Sequence, residues 1–255
     1  MLVKSELELL AKKHKINSSV ILREYFQLLS LQKIYSFPQS SKVYFKGGTC
    51  LHLVYGTPRF SEDLDFTVNL PEKEFLEFIK SSFEELSREN NCVIKERKTI
   101  AGKSFLLTLK TDLVPGPIFI KFDFSFREEV LAPQKKIVKT DYPILFKGYL
   151  NCLSAEEILA EKIRAILRRD QGRDYYDLWF LLSQGVIIRD DLIQKKLAYY
   201  NLNWPMSGKE LREKVNLLDP QSFALDLRPF VPLSEREKLV DFGIYVKDFI
   251  LQNIQ

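Results

Sequence analysis

Residues 43–68, VYFKGGTCLHLVYGTPRFSEDLDFTV, constrain this chain more than any other stretch. Residues 43–45 form a short β-rich run that stops at Gly47-Gly48, and Thr49 opens an apolar-periodic helical segment that closes at Gly56. Thr49 is expected to be the N-cap, its hydroxyl accepting an orphan N–H of the first turn. Glycines just ahead of a helix leave bare N–H groups facing outward, with the positive end of the macrodipole behind them, which suits phosphate. From Ser61 to Val68 the pattern switches to alternation. Asp63 and Asp65 share one strand face, and Leu64, Phe66 and Val68 share the other.

Two carboxylates side by side repel each other, and a divalent cation between them relieves that repulsion. Oxygen-only donors at this spacing suit Mg2+ or Mn2+ rather than zinc. Alone, a glycine pair also marks an ordinary tight turn, and a lone D-x-D also reads as a solvated strand face. Strand, Gly-Gly-Thr, helix, Arg59-x-Ser61 and Asp63-x-Asp65, in that order and closely spaced, form a layout suited to nucleotidyl transfer.

With 255 residues, 45% of them apolar, the chain can bury one substantial core or two small ones. No apolar run approaches the roughly 18 residues of a membrane span, and no leader pattern opens the sequence, so a cytoplasmic location without membrane contact is expected. Cys50, Cys92 and Cys152 are scattered in apolar sequence and imply neither a disulfide framework nor a zinc site. His14 and His52 are the only histidines, and His52 reads as packed, so a histidine-centred mechanism is not expected. The net charge of +4 is mild; clustering on one face matters more than the total.

Helices are expected over 2–15, 18–36 and 71–90, a hairpin over 92–100 and 104–111, and a strand over 118–126. In that strand Ile118, Ile120, Phe122, Phe124 and Phe126 face one way, and Lys121, Asp123 and Ser125 the other. Asp123 joins Asp63 and Asp65 if the two strands are neighbours; otherwise it belongs to an exposed face. Residues 133–150 hold short strand-like pieces. From the capping box Ser154-x-x-Glu157 onward the pattern is helical, with helices after 185 over 190–200, 208–218 and 234–251. The expected class is α+β, with a mixed sheet and flanking helices in 1–150 followed by an all-helical part in 151–255.

In the helix over 155–170, Ile158, Leu159, Ile163, Ile166 and Leu167 fill one side, and Glu157, Glu161, Arg164 and Arg168 fill an opposite, solvated sector. Lys162 projects into the apolar sector, with Arg169 close to its direction two turns on. A lysine there is costly unless it is paired or snorkels. An anionic ligand such as a triphosphate, or a structural salt bridge, supplies the partner. In the following helix Arg173, Asp174, Asp177 and Leu181 share a face. These charges either staple the two helices together or, for Asp174, position Lys162 or an attacking hydroxyl, leaving Asp177 structural.

These residues carry a family resemblance. Lys46-Gly47-Gly48-Thr49 followed by Arg59-x-Ser61-x-Asp63-Leu64-Asp65-Phe66 resembles the first motif of the DNA polymerase β-like nucleotidyltransferases. Ala160-Glu161-Lys162 through Arg173-Asp174-x-x-Asp177-Leu178 is similar to the AbiEii/AbiGii toxin branch, found in type IV toxin–antitoxin and abortive-infection systems. The resemblance implies a polymerase β-like core in which Gly47, Gly48 and Thr49 cradle the triphosphate, with Lys46, Arg59, Ser61 and Lys162 also on the nucleotide. It implies metal ions on Asp63 and Asp65, with Asp123 a third carboxylate by face alternation. Lys162 and Asp174 would be needed for activity, with Arg169, Arg173 and Asp177 in support. It implies an NTP substrate, Mg2+ (or Mn2+), a cognate antitoxin, and nucleotide addition to the 3′ acceptor end of tRNA, which blocks translation.

Basic residues near the motifs, among them Lys95, Arg97, Lys98, Lys103, Lys121, Lys135 and Lys136, form either one RNA-binding face or a dispersed, solvated set. Transfer to a small molecule or a protein, and a catalytically silent nucleotide-binding module, are the competing readings.

Overall fold

In a computed structural model, which describes residues 2–203 and 206–254, the chain divides into two compact units. One comprises Met1–Gly56 with Phe60–Leu153, the other Thr57–Arg59 with Ser154–Gln255.

The first unit is built on a seven-stranded mixed sheet. Its strands are β1 (Val43–Lys46), β2 (Leu64–Val68), β3 (Val93–Arg97), β4 (Lys103–Leu109), β5 (Ile118–Ser125), β6 (Pro133–Lys136) and β7 (Leu150–Leu153). Their order is β3-β4-β5-β2-β1-β7-β6. β2–β5 and β1–β7 pair in parallel and the remaining neighbours antiparallel. Helices α1 (Lys4–His14), α2 (Ser18–Ile34), α3 (Gly47–Tyr55) and α4 (Glu72–Asn90) complete the unit. The alternation of β5 puts Ile118, Ile120, Phe122 and Phe124 in the core, where α4 meets them. Phe75 and Phe83 of α4 lie 4.8 and 4.9 Å from the rings of Phe124 and Phe122, and Phe66 stacks on Phe124 at 4.8 Å. Each such buried ring contributes about 1.5–3 kcal/mol.

The opposite face of the sheet carries a polar row. Residues of one cross-strand row share a face, and the register aligns Lys46, Asp65, Asp123, Ser104 and Arg97 on five successive strands. β7 was not expected as a strand: four residues are too few for a pattern, and it is defined by its pairing with β6 over Leu150–Leu153 and with β1 at Cys152 and Phe45.

The second unit carries α5 (Ala155–Arg168), α6 (Gly172–Ser183), α7 (Asp190–Ala198), α8 (Met206–Asn216), α9 (Pro220–Leu227) and α10 (Leu239–Asn253), with no strand among the described residues. α9 lacks a long apolar period and was not expected; Asp219 caps it, accepting from the Ser222 N–H at 2.9 Å, and Pro220 starts it. The expected solvation of Glu157 and Glu161 is corrected. α7 packs against α5, and its fully buried Lys196 sits 2.7 Å from Glu157 Oε1 and 3.3 Å from Glu161 Oε1. Arg164 of the same sector stacks over Tyr200 at 4.3 Å. Among the described residues no helix is long and apolar enough to cross a membrane.

Candidate active site

α3 begins at Gly47, with extended Lys46 as its N-cap, so Thr49 stands inside the first turn rather than at the cap. Instead of capping, the Thr49 hydroxyl donates to the carbonyl of Asp63 and ties the start of α3 to the acidic segment. Gly47 has φ +78°, and a Cβ there would run into the Asp65 carboxylate, lying 3.1 Å from its Cβ and Cγ. Glycine is therefore required at position 47 for backbone conformation and for space. Gly48 is buried beside it.

Asp65 lies on β2 in register with Lys46 of β1 and Asp123 of β5, and Asp63 immediately precedes β2. The Asp123 carboxylate takes Lys121 Nζ at 2.5 Å. Burial opposes the charge of Lys121, but Asp123 and then Asp63 and Asp65 raise its pKa above the ordinary lysine value. The negative potential of all three carboxylates thus acts on one ammonium group. Among the described residues no three or more His, Cys, Asp or Glu side chains stand grouped as a metal site.

The loop ahead of Asp63 is held from α2. Gln27, 1% exposed, donates from Nε2 to the carbonyls of Ser61 and Glu62 at 3.1 and 2.8 Å. Arg23 pairs with Glu62 at 3.2 Å. His52 is packed, its ring 4.6 Å from Phe60 and its Nε2 3.1 Å from Glu24. Gln27 was missed from the sequence; the available signal was a glutamine within the apolar stripe of α2. Alternation places Lys121 on the face of Asp123, as expected, but its ion pair with that carboxylate was not foreseen.

A second charged cluster lies within the helical unit. Lys162 Nζ is 2.9 Å from Asp174 Oδ1 and 2.7 Å from Asp177 Oδ2. Arg59 Nε and Nη2 each donate to Asp177 at 2.6 Å, and Arg169 Nε donates to Asp174 at 2.8 Å. The partner that the burial of Lys162 demands is supplied by the protein, and Arg59 is committed to Asp177. Burial pushes the carboxyls up, but Arg59 and Lys162 hold Asp177 below its ordinary value, and Lys162 and Arg169 hold Asp174 well below it. Burial likewise works against Lys162, yet Asp177 and Asp174 raise its pKa above the usual value. Arg173 stands apart, its guanidinium 4.9 Å over the Phe230 ring.

Fold and family define the protein's class as an NTP-dependent nucleotidyltransferase. The family profile described as "Nucleotidyl transferase AbiEii toxin, Type IV TA system" matches residues 31–246, and the chain belongs to this toxin family. A type IV toxin–antitoxin system implies an antitoxin partner. An uncharacterized protein of Aquifex aeolicus (strain VF5) is 31% identical over 186 residues, covering 71% of this chain and 78% of the relative. Among solved structures, JHP933 from Helicobacter pylori superposes with a TM-score of 0.57 at 19% identity, covering 94% of each chain. MenT4, a nucleotidyltransferase toxin from Mycobacterium tuberculosis H37Rv, does so with a TM-score of 0.57 at 18% identity, covering 97% of this chain and 90% of its own. At these identities the likeness is one of fold.

Proposed function

We propose that the chain moves a nucleotide from an NTP to the 3′ end of an RNA in the cytoplasm, and that the acceptor is tRNA, as the family resemblance implies. The observation that carries this reading is the row in which Asp65 stands between Asp123 and Lys46, with Gly47 against its carboxylate. The donors are hard oxygens, which fit Mg2+ or Mn2+. The register of Asp65 with Asp123, with Asp63 just ahead of β2, supports these three as the groups that would hold a cation. When bound there, a divalent ion lowers the pKa of the acceptor hydroxyl and offsets phosphate charge.

The N–H groups of Gly47, Gly48 and Thr49 receive phosphate oxygens, with Lys46 beside them and the Ser61 hydroxyl in support. The acceptor oxygen forms a bond to the α-phosphorus as the bond to pyrophosphate breaks. In the helical unit Asp174 orients Lys162, Arg169 and Asp177 complete the ion cluster, and Arg59 holds Asp177 in place. Incubating the protein with each α-labelled NTP, total RNA and lysate tests the proposal. Label on tRNA is expected; label confined to protein or small molecules overturns the acceptor, and no label with any NTP overturns the reaction.

A further inference from the structure

We infer that the open face of β3, β4 and β5 docks the single-stranded end of an RNA, with Phe119 stacking on a base and Lys95 and Arg97 contacting phosphates. The inference rests on the reading that an RNA accepts the nucleotide, and it names the surface that reading lacks.

The register aligns Val93 with Thr108 and Phe119, Lys95 with Leu106 and Lys121, and Arg97 with Ser104 and Asp123. At a period of two these three rows lie on the face that carries Asp65, whereas Phe105, Leu107, Ile120 and Phe122 fill the core side. Phe119 is 47% exposed near the start of β5, and Val93, across Thr108 in the same row, is 54% exposed. Lys95 and Arg97 are exposed and make no ion pair with a described residue. Phe119, Lys121 and Asp123 follow one another along a single side of β5, so the aromatic ring lies about 13 Å from the carboxylate end, at roughly 3.3 Å per residue.

An open antiparallel sheet that presents an aromatic ring among cations is how proteins hold unpaired bases: the ring stacks on the base and the cations take the phosphates. A duplex would offer phosphates but no free base to Phe119. A protein partner would have to bury two unpaired cations, and interface cores are depleted in lysine. The track also ends at the carboxylate row, where a 3′ hydroxyl has to arrive.

The test uses the whole protein and a fluorescein-labelled 12-mer oligoribonucleotide, followed by anisotropy over a range of salt. Phe119→Ala should weaken binding by roughly tenfold with the salt dependence unchanged, and Phe119→Trp should retain it. Lys95→Gln with Arg97→Gln should weaken binding and reduce the slope of log K against log salt by about 1.4, the value for two lost phosphate contacts on a single strand. All positions are surface-exposed, and thermal unfolding checks that each variant remains folded. In the transfer assay the KM for RNA should rise while the KM for NTP stays put. Equal affinities across the variants, from a wild type that labels RNA, overturn this face and leave the proposed reaction standing. A wild type that labels no RNA contradicts the reaction, while the binding assay still decides the face. If the substitutions change only self-association, the face is a protein interface and the inference fails.

Discussion

Arg59 and Asp177 face each other as a two-pronged ion pair, Nε to Oδ1 and Nη2 to Oδ2, each 2.6 Å, with 2% and 0% of their side chains exposed. Lys162 shares the same carboxylate at 2.7 Å. Asp177 therefore contacts two buried cations at once. Asp177→Ala removes the two-pronged carboxylate of Arg59 and leaves Lys162 to Asp174, and should cost about 3–5 kcal/mol, read as a lower urea midpoint at unchanged m-value. Asp177→Asn keeps an acceptor and should lose less.

The same cluster sets an acid limit. Asp174 and Asp177 titrate lower in the folded chain than in the unfolded one, Asp177 because Arg59 and Lys162 outweigh burial, Asp174 because Lys162 and Arg169 do. A depressed carboxyl stabilises the fold fully above its unfolded value, near 3.9, and that stability disappears as pH falls toward the folded value. Unfolding free energy should therefore drop on going below about pH 4, and Asp174→Asn should flatten that drop. Denaturation curves collected from pH 6 to pH 2 measure it.

Lys196 is held by Glu157 and Glu161 in the same unit, and removing it takes a fully buried cation away from two buried carboxylates. Lys196→Met should destabilise by about 3–5 kcal/mol while the KM for NTP stays at the wild-type value in the folded fraction. Differential scanning fluorimetry alongside initial rates separates the two effects.

Gly47→Ala introduces a side chain at φ +78° against the Asp65 carboxylate. The backbone change should cost about 1–2 kcal/mol, and nucleotide transfer should fall further than this loss of stability explains. Gly148→Ala, where a Cβ would meet nothing within 4 Å, serves as the control and should be close to neutral.

The α+β class was legible because its signals are local. The alternation of residues 118–126, the helical period of 72–90 and the Ser154 cap each act over a few residues, and the structure forms β5, α4 and α5 there. What was not legible depends on partners distant in sequence. Thr49 has the chemistry of a cap, but its hydroxyl goes to Asp63, fourteen residues on. Arg59 lies in a phosphate-like motif, and its carboxylate partner is 118 residues away. A helical wheel shows Glu157 and Glu161 opposite the apolar side, yet only the packing of α7 decides that this sector is buried around Lys196. The row from Lys46 to Arg97 needs a strand order in which β2 lies between β1 and β5, and alternation within one strand carries no information on that.

The central claim is that the strand carboxylates beside the Gly-Gly-Thr turn carry out the transfer. The most direct measurement is label transfer from an α-labelled NTP to RNA by Asp63→Ala and Asp65→Ala, each compared with wild type for its unfolding midpoint. Transfer at background level with a near-native midpoint is the predicted result. Wild-type rates in either variant would contradict the claim.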